Sequence, residues 1–134
     1  MDIFSKIWEW DRFNEREQVR ALFGLCDELL LLAMSAENQV RLISDPSEVR
    51  STVWLAKNRI ERYCMESLPP ELLARLAQIE YVLDEMPEKA CDWSNPSAFG
   101  ASSWSEIRDL AKQALLLLEW ETIASSKDHL DALK

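Results

Sequence analysis

The chain has 134 residues, of which 48% are hydrophobic, and its 24 acidic and 15 basic side chains give a formal net charge of −9. This length predicts one domain, residues 1–134, with a sizeable core, and the composition excludes a disordered chain. The negative charge disfavours non-specific nucleic-acid binding and docking on anionic membranes, because both need a positive protein surface. It suits a basic protein partner, or serves solubility alone.

The start of the chain lacks the basic segment followed by an apolar run that marks a signal peptide. The longest strongly apolar stretch without charge, Leu29 to Ala36, is far shorter than the ~20 residues that span a bilayer. We therefore expect a cytoplasmic protein. Three widely spaced cysteines, Cys26, Cys64 and Cys91, fit neither a disulfide framework nor a zinc knuckle, even with His129 added, so we expect no cofactor.

An all-α fold is indicated by abundant leucine, alanine and glutamate, by only two glycines, and by the lack of an alternating apolar and polar run. The first twelve residues form a short amphipathic helix, with apolar residues at helical spacing: Ile3, Phe4, Ile7 and Trp8. The neighbouring Asp2, Glu9 and Asp11 favour packing of this helix onto the protein over insertion into a membrane surface.

A long central helix is predicted from Asn14 to Ile43, because its apolar residues recur in steps of three and four. Their stripe is wide, so at least two other helices must pack against it. A break near Ser35 would shorten this helix, and an i,i+4 contact between Glu37 and Arg41 would steady its end. Gly24 lies on the outer face of this helix, where glycine is about 1 kcal/mol less favourable than alanine. This loss of stability suggests close approach by another helix or by a second copy.

Three further long helices follow in chain order. The second begins at Asp45 and Pro46 and ends near Ser67. The third begins at Pro70 and is closed by Pro87. A loop over residues 87–103 precedes the fourth helix, which begins with a capping box from Ser103 to Glu106 and ends near Ala124. The pattern predicts an up-and-down bundle of four long helices, a short N-terminal amphipathic helix and one long loop.

Motifs of catalysis are scarce in this sequence. It holds neither a glycine-rich phosphate loop nor an HExxH zinc motif, and its single histidine cannot support the usual nucleophile arrangements. Helical carboxylates that could gather around magnesium are Glu61, Glu80, Asp84 and Glu119. A metal-dependent helical hydrolase is therefore an alternative from another functional class, although we expect no enzyme.

The end of the third helix departs from the usual rules of helix stability. Asp84 and Glu85 lie in its last turn, where carboxylates oppose the helix dipole, and Glu88 and Asp92 follow. From residue 80 to residue 121 there are nine acidic and three basic residues, an excess of six negative charges. Trp93, Phe99 and Trp104 lie within this acidic segment.

Aromatic residues among charges are typical of protein-binding surfaces, but they also serve as plugs that pin a loop onto a core. Tryptophan is enriched where surfaces meet, and Trp54 falls off the inward face of its helix, although core packing explains most of the six tryptophans.

These observations lead us to expect a non-catalytic, acidic protein-binding module. In type alone it is similar to bacterial immunity proteins and antitoxins, inhibitors that neutralise a basic partner such as a toxin by covering its active site. Asp84, Glu85, Glu88 and Asp92 would steer the partner, and Trp93 and Phe99 would anchor it. A chaperone or adaptor that holds a partner helix is the alternative in the same class. The sequence leaves open whether the chain is a monomer or a homodimer.

Overall fold

A computed structural model describes residues 2–92, 94–95 and 97–134, and all regular structure among them is helical. This confirms the all-α prediction. The α-helices, in chain order, are α1 (Ile3–Arg12), α2 (Arg16–Ala33), α3 (Ala36–Leu42), α4 (Val49–Cys64), α5 (Pro70–Asp84), α6 (Ser102–Leu117) and α7 (Trp120–Ala124). Short 3₁₀ helices occupy Pro46–Glu48, Met65–Ser67, Glu88–Cys91, Ala98–Gly100, Lys127–His129 and Asp131–Leu133.

The central helix is α2, and its wide apolar stripe is buried as predicted. It packs against both α4 and α6, and the N-terminal α1 packs against it as well. Its buried residues are Val19, Ala21, Leu22, Phe23, Leu25, Cys26, Leu29 and Leu32. The ring of contacts among the long helices is completed by α5, which packs closely on α6 and less extensively on α4. Since α4 and α5 meet less fully, a groove remains between them.

The predicted continuation of this helix to Ile43 is wrong, because the chain turns at the break that the sequence left open. Met34 and Ser35 adopt extended backbone, and the Ser35 hydroxyl caps the new helix α3 by accepting from the Asn38 N–H at 3.2 Å. The expected contact of Glu37 with Arg41 is not formed, since the Arg41 guanidinium donates to the Asn38 side chain instead.

The two proline-marked helix starts agree with the structure. The Asp45 carboxylate accepts from the Ser47 N–H at 3.0 Å, Pro46 opens a 3₁₀ turn, and that turn leads into α4. Pro70 stands in the first turn of α5. Proline suits these positions because the first turn of a helix needs no intrahelical N–H donors.

The predicted fourth helix differs at both ends. It begins at Ser102, one residue before the predicted capping box, and none of the described side chains caps it. It stops at Leu117 because Glu119 takes a left-handed backbone (φ 52°), and α7 follows as a separate helix. The long helices are thus α2, α4, α5 and α6, and the short α3 and α7 arise where the predicted rods break.

The outer face of α2 also corrects an expectation. A Cβ added to Gly24 would meet no described atom within 4 Å, so close approach by another helix of the same chain does not explain this glycine. The C-terminal segment does not fray, since Leu130 and Ala132 are buried and the Asp11 carboxylate accepts from the Ala132 N–H at 2.9 Å. Within the described ranges, none of the helices has the length and apolar character needed to cross a bilayer.

Candidate protein-binding surface

Four carboxylates mark the end of α5, as the sequence predicts, and all four belong to exposed residues: Asp84, Glu85, Glu88 and Asp92. Asp84 closes α5, the Glu85 N–H caps the helix by donating to the Tyr81 carbonyl at 3.0 Å, and Glu88 begins the next 3₁₀ turn. They lie close along the chain at one end of the helix, with the exposed Lys89 between Glu88 and Asp92, and are here called the acidic ridge.

Asp92 is held in a fixed orientation by the turn that follows it. Its Oδ1 accepts from the Ser94 hydroxyl at 2.6 Å and from the Ser94 N–H at 3.0 Å. These two hydrogen bonds favour the carboxylate form and lower the pKa of Asp92 below its ordinary value. The charge of Asp92 therefore persists into mildly acidic solution.

The aromatic half of the predicted site needs correction. Trp93 lies outside the described residues. Phe99 is only 4% exposed, and its ring packs on Trp104 with the centroids 4.7 Å apart, so it cannot anchor a partner. Trp104 is fully buried. Both rings act as the plugs that the alternative interpretation describes, because a loop that carries large apolar side chains gains stability by burying them.

Hydrogen bonds join the segment between α5 and α6 to α6 itself. The Trp104 indole donates from Nε1 to the Ala90 carbonyl at 2.8 Å. The Arg108 guanidinium donates to the Phe99 carbonyl at 2.9 Å. Ala90 and Phe99, near the two ends of the loop, are thereby tied to α6.

An exposed aromatic residue that adjoins the acidic ridge lies instead in the groove between α4 and α5. Trp54 and Leu55 on α4 are 54% and 60% exposed. The groove is lined by Ser47, Arg50, Ser51, Trp54, Leu55, Glu80, Leu83 and Asp84, so it meets the acidic ridge at Asp84. The sequence carried one signal of this surface, because Trp54 falls off the inward face of its helix. Leu55 gave none.

An ion pair crosses the groove where it meets the ridge. Nε of Arg50 lies 2.7 Å from Oδ1 of Asp84, and the two side chains are 67% and 50% exposed. Exposed pairs of this kind contribute only about 0–1 kcal/mol, because water screens the charges and two side chains lose freedom. Another cation can therefore take the place of Arg50 at small cost.

Three of the four carboxylates considered for magnesium, Glu61, Glu80 and Asp84, are paired with cations of the chain. The Lys57 ammonium lies 3.2 Å from Glu61 and 3.1 Å from Glu80. Burial disfavours the charged form of Lys57, but hydrogen bonds and attraction from the two carboxylates outweigh it and raise its pKa. Asp84 pairs with Arg50, as described above, and Glu119 begins α7. The described part of the chain contains no group of three or more His, Cys, Asp or Glu residues placed to hold a metal.

The ridge and the groove thus combine exposed negative charge with exposed aromatic and aliphatic surface on neighbouring elements. The chain matches no protein-family model, and no curated protein and no solved structure resembles it significantly.

Proposed function

We propose that this chain is an acidic protein-binding module that recognises a basic partner through the α4–α5 groove and the acidic ridge. The observation that carries the proposal is the position of Trp54 and Leu55, exposed on α4 in the groove that Asp84 joins to the ridge. An aromatic anchor at the centre and charged or polar residues at the rim are the usual composition of a protein–protein interface.

The two parts of the surface have different tasks in this proposal. The carboxylates of the ridge attract a positive partner over several ångströms and so raise the rate of association. Trp54 and Leu55 lose their exposed apolar area on contact and so slow dissociation. An arginine of the partner replaces Arg50 at Asp84, because the internal ion pair is exposed and contributes little.

The most specific form of this function is inhibition, as in an immunity protein or antitoxin. An enzyme that acts on nucleic acid or another polyanion carries a positive active site, and a negative ridge with an apolar groove beside it is complementary to such a cleft. The chain would then neutralise the enzyme by covering the cleft, without chemistry of its own.

The test is capture of partners from the source cells with three baits: the unchanged chain, Trp54→Ala, and Glu85→Lys/Glu88→Lys. Matched controls change an exposed tryptophan on α1, Trp8→Ala, and two exposed carboxylates away from the ridge, Glu15→Lys/Glu37→Lys. The expected result is one basic protein that both site variants lose and both controls retain. Equal retention by all five baits would show that the partner binds elsewhere.

The affinity of the captured protein for the purified chain then separates the two tasks. We expect Glu85→Lys/Glu88→Lys to lower mainly the association rate and its dependence on salt, and Trp54→Ala to raise mainly the dissociation rate. If the captured protein is an enzyme, its activity should fall as the unchanged chain is added in equal amount. Undiminished activity of the saturated complex would reject inhibition while leaving binding intact.

A further inference from the structure

A second apolar surface lies at the corner of α2, α6 and α7 and shares no residue with the α4–α5 groove. Its members, here called the leucine patch, are Leu30, Leu115, Leu116 and Trp120. Leu116 is 78% exposed, more than any other large hydrophobic side chain among the described residues. Trp120 packs edge-on against Phe23 at 5.8 Å between centroids, which holds its ring beside the patch. The patch is therefore a defined surface rather than one stray leucine.

The charges around the patch are separated by sign. Lys112 lies one helical turn before Leu116 on α6, and Glu119 and Glu121 follow it at the start of α7. All three are exposed, and none of them forms a salt bridge within the described chain. The patch thus has a positive border on one side of Leu116 and a negative border on the other.

We propose that the leucine patch is the contact surface of a homodimer with a two-fold axis beside Leu116. A two-fold axis sets residues that precede Leu116 in one copy against residues that follow it in the other. Lys112 of each copy then faces the segment of the other copy that carries Glu119, and the two Leu116 side chains meet at the axis. Two symmetry-related ion pairs, each between Lys112 of one copy and Glu119 of the other, then flank the apolar contact.

A second copy fits this arrangement better than a membrane does. Glu119 and Glu121 border the patch, and they would be repelled by an anionic lipid surface. A basic partner would be attracted by these glutamates but repelled by Lys112. In a second copy related by the two-fold axis, the lysine instead faces glutamate, because Lys112 and Glu119 lie on opposite sides of Leu116. The inference is independent of the proposed partner, since the groove and the ridge stay free.

The test is the mass of the purified chain by sedimentation equilibrium over a range of concentrations. The unchanged chain should pass from monomer to dimer as concentration rises, and Leu116→Ser should weaken the dimer at least about tenfold. Leu42→Ser is the matched control, because Leu42 at the end of α3 is also exposed but lies outside both the groove and the leucine patch. Its dimerisation should equal that of the unchanged chain.

The ion pairs provide a second, independent readout. Lys112→Glu should weaken the dimer by placing like charges together, and Lys112→Glu/Glu119→Lys should restore it, because the signs are exchanged within the same contact. A chain that remains monomeric at every attainable concentration overturns the proposal. So does a dimer that Leu116→Ser and Lys112→Glu leave unchanged, since the contact would then lie elsewhere.

Discussion

Arg108 on α6 donates from Nη1 to Oε1 of Gln39 on α3 at 2.9 Å, across 69 positions of sequence. Gln39 is fully buried, and its Nε2 donates in turn to the carbonyls of Leu31 and Leu32 at 3.3 and 3.0 Å. These carbonyls belong to the last turn of α2, where helix geometry leaves acceptors without partners. Gln39 therefore caps α2 from the following helix, and Arg108 holds Gln39 in place.

Replacement of Arg108 by methionine should reduce the free energy of unfolding by about 2–3 kcal/mol. The change keeps much of the side-chain volume but leaves the buried Gln39 oxygen and the Phe99 carbonyl without a charged donor, and such bonds contribute about 1.5–3 kcal/mol. Urea denaturation measures the difference. Arg41→Met is the control, because Arg41 is exposed and its side chain bonds to Asn38 alone among the described residues, and it should change stability by less than about 0.5 kcal/mol. Equal losses in both variants would contradict the role of Arg108.

The contrast between local and long-range contacts explains which parts of the fold the sequence could predict. The starts at Pro46 and Pro70 and the wide stripe of α2 depend on neighbouring residues, and local patterns reveal them. The break after Ala33 is stable because Gln39 and Arg108 satisfy the exposed end of α2, and this contact joins distant parts of the chain.

The candidate site also has one part that the sequence could predict and one part that it could not. The acidic ridge is one local run of carboxylates, so its residues could be named from the sequence, and all four are exposed. The groove depends on how closely α4 approaches α5, which periodicity does not specify. Phe99 could not be assigned because a loop aromatic buried as a plug and one exposed as an anchor have the same sequence pattern.

Replacement of Trp104 by phenylalanine should lower stability by about 1–3 kcal/mol. The phenyl ring keeps most of the contact with Phe99 but removes the donor to the buried Ala90 carbonyl, and leaving a buried acceptor unpaired has about this cost. Amide hydrogen exchange should accelerate around residues 88–91 more than in α2. Trp54→Phe is the matched control on an exposed tryptophan, and it should leave both measurements nearly unchanged. Exchange that accelerates evenly over all helices would mean that Trp104 does not pin this segment.

Replacement of Gly24 by alanine should raise the free energy of unfolding by about 0.5–1 kcal/mol, because alanine restricts the unfolded chain and favours a helix interior. The added methyl group meets nothing within 4 Å, so no clash offsets the gain. Gly100→Ala is the natural comparison, since Gly100 also has open space but ends a 3₁₀ turn, where the helical preference of alanine counts for less. Thermal denaturation of both variants measures the difference. A destabilised Gly24→Ala would imply a close neighbour at this face, such as a second copy.

The three thiols should differ in their reaction with iodoacetamide. Burial raises the pKa of Cys26 far above its ordinary value and that of Cys64 to about 12, so the reactive thiolate is scarce in the folded chain. Cys91 is only half-buried, and desolvation together with the negative charge of Asp45 raises its pKa less strongly. Mass spectrometry at pH 8 should therefore find Cys91 alkylated first, and the other two only after denaturation.

The charge of Asp45 gives this prediction a pH dependence with a definite sign. A carboxylate near a thiol disfavours the thiolate, so Asp45→Asn should lower the pKa of Cys91 and shift its rate profile to lower pH. At a pH below both pKa values, the variant should react faster, and the two rates should converge once each thiol is ionised. Asparagine keeps the side-chain oxygen that accepts from the Ser47 N–H, so the start of α4 is preserved. Glu15→Gln changes an exposed carboxylate beside α2 and should leave the profile in place, whereas an equal shift in both variants would indicate a general effect of net charge.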